Sequence, residues 1–256
     1  MACPIVTLTT DWGENSFFAG MVKGRLYSTI PDVRVVDVCH TLKPFDLIGS
    51  PLVIQNSCMD FPKGTVHIID ILSEEQSGQG FLVVQHKSQY YICTNNGLPH
   101  IVFGSNYEKA VELTPYWSSP SYNFAAYDIF CPIAAKIAAG AQLSDLGCDA
   151  TLLEKRLQLY MVMGNIIKTH VWHIDSYGNA YLDIKNDDFL RELDGHPFEL
   201  VYRSTRVGNL YPSYADCVHP SLTVSATGYL EIAMYKQRAA DVLGISLYDI
   251  VDIVKK

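Results

Sequence analysis

The sequence predicts an α/β N-terminal domain over residues 1–155, with a mainly parallel sheet flanked by helices, and a smaller β-rich C-terminal domain over residues 164–256. Strand and helix signals alternate through the first half, as they do in parallel sheets with helices on both faces. After Gly164 the signals are mostly β. Residues 143–159 mix charged and apolar side chains between these regions, and the second region, of about 90 residues, has an ordinary domain size.

The elements of the first half follow a β-branched run that ends at Asp11. Ser16 is the predicted N-cap of a helix over residues 17–29, which ends before Pro31. Further along we expect a strand over 33–39, a helical stretch over 44–59, a strand over 64–71, a hairpin of 81–84 with 90–94, a short strand over 110–114 and an alanine-rich helix over 129–141.

The second half contains β-rich runs that alternate with turn residues, and one short helical turn is expected over residues 239–243. The predicted strands cover residues 166–174, 180–184, 198–202, 222–225, 229–233 and 250–254.

Composition excludes several classes of protein. A net charge of −8 without a basic cluster argues against a nucleic-acid partner. Seven scattered cysteines without a CxxC pair favour reduced thiols over a disulfide framework or a zinc site. The chain runs from Met1 into a strand with no signal segment, and no apolar run approaches membrane-spanning length. We therefore expect a cytoplasmic protein with no membrane partner.

The common catalytic signatures are missing from the sequence, which has no GxGxxG, Walker loop, HExxH or GxSxG. His170 and His173 are spaced to point to opposite faces of a strand, so a shared metal is a poorer interpretation than two ordinary histidines. No metal and no cofactor are predicted.

Asp11 ends the first strand, and ligands of open α/β sheets bind outside the carboxyl ends of the strands. A carboxylate at this position can accept hydrogen bonds from the two hydroxyls of a ribose. The alternative is that Asp11 only caps the next helix or turn. Both interpretations stay open on this stretch alone.

Other polar residues also fall at predicted strand ends and turns, among them Asp70, Asp128, Asn96 and the run DSYGN at residues 175–179. That run predicts a tight turn presenting a carboxylate and an amide together. An asparagine can pair with an adenine edge and an aromatic ring can stack on the base. The alternative, a turn whose side chains satisfy only its own backbone, is favoured when the run is taken alone.

Seven segments together resemble one family over nearly the whole chain, the S-adenosylmethionine (SAM) hydroxide adenosyltransferases, which are related to the fluorinases and chlorinases. The segments are LTTDWG at 8–13, PFD at 44–46, FPKGTVH at 61–67, NG at 96–97, DIFCPIAA at 128–135, DSYGN at 175–179 and GYLEIA at 228–233.

The resemblance implies a β-barrel-like C-terminal domain that completes the adenine site, and a homotrimer with active sites between subunits. It implies that SAM is a substrate, attacked at C5′ of its ribose in an SN2 displacement with methionine leaving; water as nucleophile gives adenosine. Because the sulfonium leaves as a neutral thioether, the leaving group needs little activation. The protein must instead align the nucleophile behind C5′ and remove its hydration shell. When the nucleophile is water, the protein must also accept the proton that the water loses.

Residue roles carried over from the family place Asp70 as the catalytic residue. Asp11 matches the ribose ligand, Tyr177 an aromatic that stacks on adenine, and Asn179 the side chain that contacts the adenine edge. The remaining candidate substrate-binding residues are Phe45 and Phe124 as apolar walls, Asp175 near the methionine ammonium, and Ser16 and Thr227 at the amino-acid end, where the family's aspartate and serine fall on Ser16 and Ala226.

Two water-activating positions of the hydrolase branch are changed, since its arginine falls on Ser77 and its histidine on Ala125. The halide-side serine of the halogenases falls on Ala126. Three hypotheses follow. The chain is a SAM hydrolase using Asp70 with Glu74 or Glu75 as base, a non-catalytic adenosine- or SAM-binding homologue, or an enzyme that transfers adenosyl to another nucleophile.

Overall fold

The computed structural model describes residues 3–73, 80–113, 123–157 and 159–256. The chain divides into two compact units, Met1–Arg156 and Leu157–Lys256, and each is described by itself.

The N-terminal unit contains a seven-stranded sheet in the order β2-β1-β3-β5-β4-β6-β7. Its strands are β1 (Ile5–Thr10), β2 (Arg34–Cys39), β3 (Val66–Asp70), β4 (Phe81–His86), β5 (Gln89–Thr94), β6 (Lys109–Glu112) and β7 (Cys148–Asp149). Over the described residues, the pairs β1–β2, β1–β3 and β3–β5 are parallel, and the pairs β4–β5, β4–β6 and β6–β7 are antiparallel.

The prediction of a mainly parallel sheet therefore needs correction, because the sheet is mixed. Strands β4 and β5 are joined by only Lys87 and Ser88, which have φ angles of 49° and 58°. A two-residue loop of this kind joins antiparallel strands, whereas parallel strands need a long crossover. The hairpin was predicted, but the prediction of a mainly parallel sheet did not take account of the antiparallel pairs that the hairpin adds.

The helices of this unit are α1 (Phe17–Thr29), α2 (Ser50–Ser57), α3 (Leu98–Phe103) and α4 (Cys131–Ala138), with a π-helical turn at Ala126–Phe130 directly before α4. The expectation of a helix over 44–59 was wrong for its first part. Phe45 has a φ of 64°, and the Asp46 carboxylate accepts hydrogen bonds from the N–H groups of Ile48 and Gly49. This local turn delays the helix until Ser50.

Strands β1 and β3 lie inside the sheet and are buried along almost their whole length, as strands covered on both faces are. Val6, Leu8 and Ile68 are fully buried. In the parallel register, Thr10 lies opposite Asp70. Asp11 and Asp70 therefore leave neighbouring strands at the same edge of the sheet.

The C-terminal unit is built on a nine-stranded curled sheet, in which eight strands pair in one row across the described residues and the ninth pairs beside a strand inside that row. The row does not close on itself over those residues. Its strands are β8 (Met161–Met163), β9 (Ile166–Ile174), β10 (Ala180–Lys185), β11 (Phe198–Tyr202), β12 (Thr205–Val207), β13 (Leu210–Tyr211), β14 (Ser221–Val224), β15 (Tyr229–Ala233) and β16 (Ile250–Lys255).

Two helices pack on this sheet, α5 (Asn186–Leu193) and α6 (Ala239–Leu243). Helix α6 was predicted, whereas α5 was missed. Its signals were present, since two acidic residues occupy its first turn and Phe189 and Leu193 are buried four residues apart on one face. Among the described residues, no helix has the length and apolarity to cross a bilayer.

Candidate active site

A cavity of about 370 Å³ opens where β1 and β3 end in the N-terminal unit. It combines two carboxylates with an aromatic wall, and it is lined by Asp11, Trp12, Phe18, Pro44, Phe45, Asp70, Leu72, Ser73, Asn123, Phe124 and Ala125. The structure thus brings four of the predicted site residues together: Asp11, Phe45, Asp70 and Phe124.

Asp70 is 5% exposed, and its two oxygens have different surroundings. Oδ2 accepts a hydrogen bond of 2.7 Å from the Trp12 indole Nε1, whereas Oδ1 is buried and has no hydrogen-bond partner among the described residues. Burial raises the pKa of Asp70 from 3.8 to about 6, with a smaller rise from the Asp11 carboxylate and opposing effects from Ser73 and Trp12. A carboxylate with a free oxygen and this pKa is suited to accept a proton near neutral pH.

The loop after Asp70 is held by Asn96, which was only a general polar candidate in the sequence. Its Nδ2 donates to the carbonyl oxygens of Ile71 and Leu72 at 3.0 and 3.1 Å. The amide therefore fixes the chain beside the carboxylate. Asp128, another such candidate, accepts a 3.3 Å hydrogen bond from the N–H of Phe124.

Asp11 does not cap helix α1, so the helix-capping part of that alternative is wrong. The cap is Ser16, whose hydroxyl accepts a 3.2 Å hydrogen bond from the N–H of Phe18. Asp11 Oδ2 instead accepts a 2.8 Å hydrogen bond from the N–H of Phe45, and Oδ1 has no partner among the described residues. One oxygen of Asp11 remains available to a hydroxyl-bearing ligand.

The aromatic wall contains two residues that sequence reasoning did not assign, Trp12 and Phe18. The Trp12 ring meets Phe124 edge-on at a centroid distance of 5.2 Å, and Phe18 packs on Phe124 at 4.9 Å. Trp12 belongs to the LTTDWG segment, but the residue that accepts its indole hydrogen bond, Asp70, is 58 residues away in sequence and is brought close only by the fold.

A second cavity, of about 620 Å³, lies in the C-terminal unit around the predicted turn. It is lined by Asp175, Ser176, Tyr177, Asn179, Tyr181, Tyr214, Met234, Tyr235, Lys236, Gln237 and Arg238. Three predicted residues, Asp175, Tyr177 and Asn179, therefore share this cavity, while Tyr181 and Tyr214 are additions from the structure.

The carboxylate of Asp175 organises the turn. Oδ1 accepts from the N–H groups of Tyr177 and Asn179 at 2.9 and 2.8 Å, and Oδ2 accepts from the Asn179 side-chain Nδ2 at 3.1 Å. Only the nitrogen of an amide can donate to a carboxylate, so the orientation of the Asn179 amide is fixed. The Asn179 side-chain oxygen is left without a partner among the described residues, while Tyr177 is 77% exposed.

The turn therefore satisfies its own backbone, as the simpler interpretation expected, and still leaves an acceptor and an aromatic surface for a ligand. Ser16 and Thr227 line neither cavity. The Thr227 hydroxyl lies 3.0 Å from that of Ser225. Glu74, Glu75 and Ser77 fall outside the described residues, and over the described ranges no cluster of His, Cys, Asp or Glu could hold a metal.

Gly178 is the tightest point of this turn, with a φ of 80°. An added Cβ would lie 2.5 Å from Cβ and 2.8 Å from Cα of Arg238. Because a left-handed conformation and a backbone clash both oppose a side chain, we expect Gly178→Ala to lower the free energy of unfolding by about 2–4 kcal/mol in urea titrations.

Gly195→Ala is the matched control, since Gly195 has a φ of 78° and nothing within 4 Å of an added Cβ. That variant should lose only about 1–2 kcal/mol, the cost of the left-handed conformation. Equal losses in the two variants would contradict the close approach of Arg238.

Comparison with known proteins gives two family matches, the SAM hydroxide adenosyltransferase N-terminal domain over residues 6–147 and the corresponding C-terminal domain over residues 169–252. A protein named (R)-S-adenosyl-L-methionine hydrolase from Methanocaldococcus jannaschii is 25% identical, covering 98% of this chain and 95% of its own. Its namesake from Salinispora tropica is 27% identical, covering 95% of both chains. A fluorinase from Nocardia brasiliensis is 26% identical, covering 90% of both.

Solved structures share the fold. An uncharacterized conserved protein from Thermotoga maritima superposes with a TM-score of 0.85 at 23% identity, covering 98% of this chain and 100% of its own. A conserved hypothetical protein from Thermus thermophilus superposes with a TM-score of 0.72 at 21% identity, covering 99% and 100%.

Proposed function

Because this chain belongs to the SAM hydroxide adenosyltransferase family, we propose that it is a SAM-dependent adenosyltransferase whose nucleophile is water. The products are adenosine and methionine. The observation that carries the proposal is the Asp70 carboxylate, which borders the cavity at the end of β3 and has one oxygen without a hydrogen-bond partner in the described part of the chain.

In the proposed reaction, a water oxygen forms a bond to C5′ of the ribose as the bond from C5′ to sulfur breaks. The bonding electrons go to sulfur, so methionine leaves as a neutral thioether. The attacking water passes its proton to Asp70, which is mostly ionised at pH 7 because its pKa is about 6. The ring edges of Phe18 and Phe124 keep bulk water away from the reacting carbon.

The substrate contacts are part of the proposal. Asp11 binds the ribose hydroxyls through Oδ1, the oxygen without a partner among the described residues. Tyr177 stacks on the adenine ring, and the Asn179 side-chain oxygen accepts a hydrogen bond from the amino group of adenine. The other contacts we assign are Phe45 and Phe124 along the ribose and reacting carbon, and Ser16, Asp175 and Thr227 toward the amino-acid end. We also propose that the working form is a homotrimer, which light scattering would test.

The test is incubation of the full chain with SAM in H₂¹⁸O, followed by chromatography and mass spectrometry of the products. We expect adenosine carrying ¹⁸O at its 5′ position, with an equal amount of methionine. Asp70→Ala should form neither above background. Adenosine binding without any product would contradict the hydrolase proposal, and a product carrying another group at C5′ would replace water as the nucleophile.

A further inference from the structure

The contact between Trp12 and Asp70 has no assigned role in the chemistry above. We propose that Trp12 is the positioning residue of the base: its indole N–H holds Oδ2 of Asp70 and so directs Oδ1 to the attacking water. This inference rests on the proposed function and deepens it, because it names what supports Asp70 where the family's arginine and histidine positions read Ser77 and Ala125.

The geometry of the hydrogen bond supports this role. The indole Nε1 is a donor only, so its partner must be an acceptor, and a 2.7 Å distance to a carboxylate is typical of a charge-assisted hydrogen bond. Oδ2 is engaged by Trp12, whereas Oδ1 has no hydrogen-bond partner within the described residues, so Oδ1 is left for a water. The bond thus orients the carboxylate and also favours its ionised form.

The indole itself is held in place on several sides. The His40 ring stacks on it at a centroid distance of 5.7 Å and an interplanar angle of 16°, and Phe124 meets it edge-on. His40 is fixed in turn by the hydrogen bond of 2.7 Å between its Nδ1 and the Thr10 hydroxyl, while its Nε2 lies 3.0 Å from the Asp37 carboxylate without the geometry of a hydrogen bond. Because these contacts fix the indole ring, its N–H group keeps its orientation when charge develops in the site during the reaction.

The groups whose charge or polarity is coupled to Asp70 come from three elements. Asp11 and Trp12 follow β1, Ser73 lies in the loop after β3, and Cys131, whose pKa the Asp70 carboxylate helps to raise, begins α4. Asp11 opposes ionisation of Asp70, while Ser73 and Trp12 favour it. The Ser73 hydroxyl makes no hydrogen bond of ordinary geometry within the described residues, so the Trp12 indole is the donor that contacts the charged base.

The first test observes the contact without catalysis. The chain has three tryptophans, so its ¹H–¹⁵N spectrum should contain three indole N–H signals. We expect the signal lost in Trp12→Phe to shift in the wild-type protein with a midpoint near pH 6, as Asp70 ionises. Asp70→Asn should remove that shift. A Trp12 signal that is insensitive to pH between 4 and 8 would overturn the inference.

The second test is the pH profile of adenosine formation. Trp12→Phe keeps an aromatic ring but removes the donor, so the pKa of Asp70 should rise and the acid limb should move up by about one pH unit. We expect kcat at pH 7 to fall about tenfold or more, with KM changed less than about threefold. An unmoved acid limb would overturn the positioning role.

Trp172→Phe is the matched control, because the Trp172 Nε1 is buried without a hydrogen-bond partner among the described residues. Its acid limb should match that of the wild-type protein. If the wild-type protein forms no adenosine, the proposed function fails, while the indole titration still decides whether Trp12 holds Asp70.

Discussion

Asp70→Asn is expected to lower kcat for adenosine formation by about a hundredfold to ten-thousandfold, the usual contribution of a positioned general base. Asparagine has nearly the same shape, and its oxygen can still accept the hydrogen bond from Trp12 Nε1. What it loses is the ability to take a proton from water. Steady-state kinetics at pH 7 measures the loss, and KM for SAM should change little.

The pH dependence of kcat in the wild-type protein tests the same role of Asp70. Because the base must be ionised, kcat should fall as the pH drops through about 6, the pKa of Asp70. Asp70→Asn should show no such limb in its residual rate. A residual rate within about threefold of the wild-type rate would show that another group takes the proton.

A stability measurement separates this loss of activity from misfolding. The pKa of Asp70 is raised in the folded state, so folding favours its protonated form; that contribution is complete below pH 3.8 and is lost as the pH rises through about 6. Ionisation of the buried Asp70 therefore lowers the free energy of unfolding of the wild-type protein at pH 7, and the neutral asparagine avoids this loss. Urea unfolding should show the difference between variant and wild type moving in favour of the variant from pH 4 to pH 7.

The sequence predicted the parts of the fold that depend on local signals. Helix α1 begins and ends as its N-cap and the following proline indicated, and the strand ends placed Asp11 and Asp70 at one edge of the sheet. The first turns of residues 44–59 were mispredicted, because the φ of Phe45 and the contacts of Asp46 are set by a local turn that competes with the helix.

The support of the base could not be predicted, because it depends on contacts between distant parts of the chain. Trp12 meets His40 and Asp70 only after β1, β2 and β3 pair, and none of these residues forms a motif with another. The contacts of Asp175 also could not be predicted from the sequence, although they lie within one turn. Its turn was expected, but the hydrogen bond that fixes the amide of Asn179 required coordinates.

That hydrogen bond between Asp175 and Asn179 carries the second prediction with a large effect. We expect Asp175→Asn to reverse the preference of the site for adenosine over inosine. In the wild-type protein, the Asn179 amide gives Nδ2 to Asp175 and leaves its oxygen as an acceptor. An acceptor suits the amino group of adenine and opposes the carbonyl oxygen of hypoxanthine. We expect adenosine to bind at least about fivefold more tightly than inosine, since a mismatched pair costs about 1–3 kcal/mol.

In the variant, the N–H groups of Tyr177 and Asn179 keep the oxygen of the new asparagine where Oδ1 of Asp175 was. Its nitrogen must then face the Asn179 amide. Two donors cannot pair, so the Asn179 amide rotates to offer its oxygen to the new nitrogen and presents its own nitrogen to the ligand. Inosine should now bind as tightly as adenosine or more tightly, as titration calorimetry with the two nucleosides would measure.

Asp183→Asn is the control for this reversal, because Asp183 is a buried carboxylate of the same unit that accepts its hydrogen bonds from His170. It should keep the preference for adenosine. Asn179→Ala should lose discrimination in either direction, since neither donor nor acceptor remains. If Asp175→Asn weakens both nucleosides equally and keeps their ratio, then Asp175 only supports the turn, and the base is selected by other side chains of the cavity.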